Sequence, residues 1–156
     1  VMMSFIYQIR ELQNGGEFVV LLFLAAWGND TLAYCTGMLI GKHKMSPILS
    51  PKKSIEGLVG GIVGAAILGA LYGLYLNTYI RFSFNPVTMF PIVCGLSGAV
   101  SVIGDLAASA IKRDSGIKDY GTLIPGHGGI LDRFDSIIFI APVIYYLTVM
   151  ISGGAI

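Results

Sequence analysis

Charged side chains are scarce in this 156-residue sequence, where they make up 12% of the residues against 54% for hydrophobic ones. A soluble domain carries roughly twice that share of charge. The few charges present could not cover a water-facing surface, which excludes a disordered chain and an ordinary cytosolic domain. We therefore expect an integral membrane protein.

Cysteine is scarce as well. Cys35 and Cys94 both lie in apolar stretches, where a small buried side chain is the usual role of cysteine. There is no cysteine spacing typical of a disulfide framework or a zinc site. The sequence also lacks the basic segment of a signal peptide and starts at Val1 inside an apolar run, so we expect it to begin within a longer protein.

Four apolar segments are long enough to cross a bilayer core of roughly 30 Å. They cover about 18–40, 56–80, 86–111 and 134–154, and a shorter apolar piece at 1–9 precedes them. This pattern predicts an all-α fold, a polytopic transmembrane helical bundle with about four spans. We treat residues 1–156 as a single membrane-embedded domain.

Basic residues are distributed unevenly over the loops. Of the ten, only Arg10 and Arg81 lie outside loops 42–55 and 112–133. Because cytoplasmic loops of membrane proteins are enriched in Lys and Arg, these two loops are predicted to be cytoplasmic. For Lys42 and Lys44 we favour a role in orientation and in attraction to lipid headgroups.

Small residues recur at intervals of four in the second span, as in Gly57/Gly61 and Gly69/Gly73. This spacing lets the backbones of membrane helices approach closely. The approach could serve a dimer interface or packing within one chain, and the sequence leaves both open.

Acidic residues occur at membrane depth, where a carboxylate is costly and needs a partner. Asp30 lies inside the first span and Asp105 late in the third, while Asp132 and Asp135 share a helix face at the start of the fourth. They could be structural carboxylates, proton relays or cation ligands. Oxygen ligands without a Cys or His cluster favour Mg²⁺ over zinc.

Cations and glycines surround these acids in the sequence. Ser109 and Lys112 share a helix face with Asp105, and His127 stands among glycines that include Gly128 and Gly129. Carboxylates that hold Mg²⁺, framed by cations, are the elements of phosphoryl-type transfer. The cations concerned are Lys52, Lys53, Lys112, Arg113, Lys118 and Arg133.

Residues 109–135 read SAIKRDSGIKDYGTLIPGHGGILDRFD, which closely resembles the signature of the phosphatidate cytidylyltransferase (CDP-diacylglycerol synthase) family. An upstream stretch with GKHK and SPKKSIEG is also similar to that family, although it departs at Leu32, Met38 and Ser54-Ile55. The resemblance covers about 28–136 and corresponds to the catalytic C-terminal half, without the N-terminal helices of the family.

The resemblance implies a reaction in which CTP and phosphatidate give CDP-diacylglycerol and pyrophosphate. It implies Mg²⁺, and possibly a second cation, held by Asp105 and Asp132 with support from Asp135 and Asp30. Lys53, Lys112 and Arg113 would bind phosphate. It further implies a homodimer in membrane lipid, in a bacterial inner membrane with the site facing the cytoplasm, and we expect no nucleic-acid partner.

Two other functions remain compatible with parts of the sequence. A CTP-dependent lipid kinase of the polyprenol or phytol type would share several features but not the whole signature. A proton-coupled transporter would use Asp30 and Asp105 as relays, but it leaves the segment from Pro125 to Asp135 unexplained.

Overall fold

The computed structural model describes residues 2–46, 50–117 and 131–151. Its elements, in chain order, are α1 (Ser4–Glu11), α2 (Gly15–Phe23), a π-helical turn (Leu24–Gly28), α3 (Asn29–Ile40), β1 (Lys44–Ser46), β2 (Ser50–Ser54), α4 (Ile55–Tyr79), α5 (Pro86–Asp114) and α6 (Leu131–Ile151).

Four helical segments of the described chain are long and apolar enough to cross a membrane: Gly15–Ile40, Ile55–Tyr79, Pro86–Asp114 and Phe134–Ile151. The predicted all-α, polytopic bundle is therefore confirmed, with span boundaries within a few residues of those expected. Outward-facing side chains such as Val63, Ile67 and Leu71 on α4 are apolar and more than half exposed, as lipid contact requires.

Local signals fix where the helices begin. The Ser54 hydroxyl accepts a hydrogen bond from the Gly57 N–H at 3.1 Å and caps α4. The Asn85 side chain accepts one from the Val87 N–H at 3.0 Å, while Pro86 stands at the first position of α5.

Three features depart from a plain bundle of spans. The short apolar piece at the start forms α1, and the first span is interrupted by the π-helical turn at Leu24–Gly28. The loop after that span contains an antiparallel hairpin, in which Lys44 pairs with Ser54 and Ser46 with Ser50. We call this hairpin, together with the adjoining ends of α3, α4, α5 and α6, the hairpin end of the bundle.

Glycines on α4 determine how closely its neighbours approach. A Cβ added at Gly57 would lie 2.7 Å from the Ala33 carbonyl oxygen of α3, and one at Gly69 would lie 2.7 Å from the Phe90 carbonyl oxygen of α5. Gly57, Gly61, Gly69 and Gly73 are all buried. Of the two roles left open by the spacing, the structure shows packing within one chain for these positions.

This packing makes a prediction for stability. Gly69→Ala should destabilise the full-length protein by about 1–3 kcal/mol, because the methyl group meets backbone rather than a movable side chain. Gly95→Ala is the matched control, since its Cβ would lie 3.7 Å from the Ala66 Cβ, an ordinary contact. Thermal unfolding in detergent should show a lower midpoint for Gly69→Ala only, and equal midpoints would contradict the packing argument.

Candidate active site

A cavity of about 570 Å³ opens at the hairpin end. Its walls come from α3, the hairpin, the first turn of α4 and α5. Charged and apolar side chains share these walls, which suits a ligand that is part ionic and part apolar. Those used below are Asp30, Tyr34, Met38, Lys44, Lys53 and Asp105.

The central contact of the cavity is an ion pair between Lys53 of β2 and Asp105 of α5, in which Lys53 Nζ donates to Asp105 Oδ2. The side chains are 28% and 24% exposed, so the pair is partly screened from water. Asp105 lies about 14 Å along the helix from the end of α5 at Asp114, by the rise of 1.5 Å per residue. A carboxylate at that depth requires a partner, and the hairpin supplies it.

Asp30 lies on the wall of the same cavity, in the first turn of α3. Lys53 and Asp105 line that cavity too, so three charged side chains share it with Lys44. The π-helical turn ends at Gly28, two residues before it. Such turns are frequent at functional sites, where the extra residue changes the direction of the side chains that follow.

A second ion pair joins α5 to α6. Lys112 Nζ of α5 lies 3.7 Å from Asp135 Oδ2 of α6, and each side chain is 12% exposed. The sequence assigned these two residues to different ligands, phosphate for Lys112 and metal for Asp135. The structure shows that they also contact each other, a pairing that the sequence analysis missed.

The structure describes the side chains of only some of the other predicted site residues. Ser109 is half-buried on α5, one turn beyond Asp105, and Arg113 is exposed near the end of that helix. The side chains of Lys52, Asp132 and Arg133 lie outside the described part of the structure. Four further predicted residues lie outside the described ranges altogether: Lys118, His127, Gly128 and Gly129.

Lys44 also lies on the cavity wall, a position that the sequence analysis did not predict. Its charge was assigned to orientation and headgroup attraction, and in the structure it shares the cavity wall with Lys53. The hairpin brings the two lysines together from opposite strands. The signal lies in the sequence as two basic clusters, GKHK and SPKKS, on either side of a short connection.

The carboxylates fit the predicted metal only in part. Within the described ranges, no three His, Cys, Asp or Glu side chains form a group that could hold a metal ion. Asp30 and Asp105 do share the cavity wall. Mg²⁺ is commonly held by one or two carboxylates, with water and substrate phosphates completing its shell. Two carboxylates on a cavity that two lysines also line are therefore a donor set that fits Mg²⁺, although they supply only part of its shell.

Comparison with known proteins shows one family. The sequence profile of the Cytidylyltransferase family matches residues 1–151. A phosphatidate cytidylyltransferase of Staphylococcus saprophyticus is 37% identical over 148 residues, which are 95% of this chain and 55% of the relative.

Two further relatives carry the same name. The protein of Staphylococcus aureus (strain COL) is 40% identical over 145 residues, 93% of this chain and 53% of its own. The protein of Staphylococcus haemolyticus is 36% identical over 146 residues, which are 94% of this chain and 54% of the relative. The chain thus spans about half the length of the curated relatives it matches. With its profile match over nearly the whole chain, it belongs to the cytidylyltransferase family.

Proposed function

We propose that this chain carries the catalytic half of a phosphatidate cytidylyltransferase, which converts CTP and phosphatidate into CDP-diacylglycerol and pyrophosphate. The names of the relatives support this substrate pair. The observation that carries the proposal is the Lys53–Asp105 pair, on a cavity that Asp30 and Lys44 also line. It combines cations for phosphates with carboxylates for a divalent metal.

The reaction asks the protein mainly to position its substrates. A phosphate oxygen of phosphatidate forms a bond to the α-phosphorus of CTP, and the bond from that phosphorus to the oxygen bridging to the β-phosphate breaks, so that pyrophosphate leaves with the electron pair. The attacking oxygen is already anionic near neutral pH, which makes a strong general base unnecessary. Two polyanions must instead be held in line while Lys44 and Lys53 offset their repulsion.

Mg²⁺ is the proposed cofactor. Asp30 and Asp105 would hold it, with Asp132 and Asp135 as the further ligands that the family resemblance implies. When bound, it neutralises charge on the phosphate oxygens. Lys112 and Arg113, at the end of α5, are proposed to bind phosphate beside it, and Lys112 would leave its contact with Asp135 to do so.

The cavity is placed well for a lipid substrate. Tyr34 and Met38 of α3 line it, although they are 60% and 67% exposed on a membrane-spanning segment. We propose that the acyl chains of phosphatidate remain in the bilayer beside these residues while its phosphate reaches Lys53.

We also propose a homodimer, as the family resemblance implies. Native mass spectrometry that shows only a monomer would contradict it.

Incubation of the full-length protein with labelled CTP and phosphatidate, with and without Mg²⁺, tests the reaction. We expect a lipid-linked CMP product that depends on the metal. Formation of a phosphorylated alcohol from an added polyprenol or phytol would instead identify a lipid kinase. Transfer to neither lipid would refute the proposed reaction and leave the transporter.

The carboxylates give a second prediction. Asp105→Asn and Asp132→Asn keep the side-chain shape but remove the charge that binds the metal, so each should lower kcat at least about 100-fold, the scale of losing a preorganised electrostatic contact. Asp114→Asn is the control, since Asp114 is exposed at the end of the same helix as Asp105. Near-normal turnover of either site variant at low Mg²⁺ would remove that residue from the metal site.

The third prediction concerns orientation in a bacterial inner membrane. We propose that the hairpin end faces the cytoplasm, where CTP is found, because eight of the ten basic residues belong to the loops at that end. In a background without Cys35 and Cys94, one cysteine is introduced at Ser115, just after α5, and another at Ser83, in the loop before α5. The two positions therefore lie at opposite ends of this span. In sealed cells an impermeant thiol reagent should label position 83 and spare position 115, and the reverse labelling would invert the topology.

A further inference from the structure

Glu56, in the first turn of α4, accepts hydrogen bonds from both the backbone and the ring of His43 at the base of the hairpin. The His43 backbone N–H lies 3.3 Å from Glu56 Oε1 and 3.2 Å from Oε2, and the ring Nδ1 lies 2.6 Å from Oε1. Because a carboxylate oxygen only accepts, Nδ1 carries the hydrogen. We call these two residues the clasp.

The clasp closes the segment that contains both hairpin lysines. Lys44 follows His43 directly, and Lys53 precedes Glu56 by three residues. The Ile55 N–H also donates to the His43 carbonyl oxygen at 3.0 Å, which ties the residue before Glu56 to His43 through the backbone. Both lysines line the cavity, whereas neither clasp residue is among the described residues that do so.

The hairpin is short and irregular, so a contact at its base can affect where its lysines lie. Its strands have three and five residues, with an irregularity in their register between Lys44 and Ser46. An isolated two-stranded hairpin is at best marginally stable in water. A lysine stem is also flexible, so the position of its ammonium group depends on where the backbone holds the stem.

From this geometry we propose that Glu56 and His43 are positioning residues, which hold Lys44 and Lys53 at the cavity for the substrate phosphates. The inference rests on the proposed function, because it assigns these lysines to the phosphates of the same site. The clasp would act only through the lysines and touch neither substrate. The simpler alternative is that Glu56 merely stabilises the start of α4, as an acidic residue does near a helix N-terminus.

Kinetics of the full-length enzyme separate these alternatives. Glu56→Ala removes all three contacts and should lower kcat/KM about 10- to 100-fold, the scale of an ångström-sized misplacement. His43→Ala keeps the backbone N–H contacts and should lose less. Glu56→Gln keeps a carbonyl acceptor and should recover most of the activity. Lys42→Ala is the control, because it removes an exposed neighbouring charge, and should change kcat/KM only a few-fold.

The decisive comparison uses a Lys44→Ala/Lys53→Ala background, which should itself lose at least roughly 30-fold in kcat/KM, as expected for losing charged hydrogen bonds to phosphate. If Glu56 acts through the lysines, Glu56→Ala should cost no more than about threefold there, since coupled sites are non-additive. A loss as large as in the wild-type background would overturn the proposal in favour of the merely stabilising role.

A second measurement does not depend on enzyme activity. Cysteines at positions 53 and 105, in a background without Cys35 and Cys94, can be joined by a short bifunctional thiol reagent because the native side chains of these positions are in contact. Glu56→Ala should slow this cross-linking several-fold, whereas Lys42→Ala should not. An unchanged rate would refute the clasp even if the enzyme makes CDP-diacylglycerol, and a slowed rate would support its effect on the hairpin even if the proposed reaction fails.

Discussion

The requirement that a carboxylate at membrane depth have a partner shapes the hairpin end of this molecule. Asp105 lies well inside its span, and its partner, Lys53, comes from the hairpin rather than from another span. A lysine stem long enough to reach inward from the end of the bundle lets the charge be neutralised without a second charged group within an apolar helix. The hairpin therefore has a structural reason to exist as well as a chemical one.

Close helix packing then determines the shape of the space around that ion pair. Gly57 and Gly61 let α4 lie directly against the backbone of α3, while Gly69 and Gly73 bring it against α5. Because these helices pack closely along most of their length, the 570 Å³ cavity lies at their end, between the hairpin, the first turn of α4, and α3 and α5. These glycines, whose spacing was also compatible with a dimer interface, pack against helices of the same chain, so a dimer would need another surface.

The sequence was sufficient to predict the spans and the identity of the main charged residues, because both follow from hydropathy and from the cost of charge in lipid. Lys53, Asp105 and Asp30 were all singled out, and the structure places them on one cavity. The hairpin was not predicted, since lysine, serine and proline are poor strand formers and its pairing depends on long-range contacts. The π-helical turn also leaves no distinctive signal, because Leu24–Gly28 reads as an ordinary apolar helix. The position of Lys44 on the cavity wall depends on this strand pairing, so the local sequence could not show it.

The pairing of opposite charges connects the fold to the proposed reaction. Lys53 contacts Asp105, and Lys112 contacts Asp135, so two of the cations assigned to phosphate lie beside carboxylates assigned to metal. Removing one partner from a buried ion pair is costly, because the other charge is left unpaired. In the proposed reaction Asp105 and Asp135 would hold Mg²⁺ while Lys53 and Lys112 bind the substrate phosphates, so each side chain would gain a new partner with the same sign of charge as the old one. Substrate binding would then exchange one neutral arrangement for another, and no step would require an isolated charge in the membrane interior.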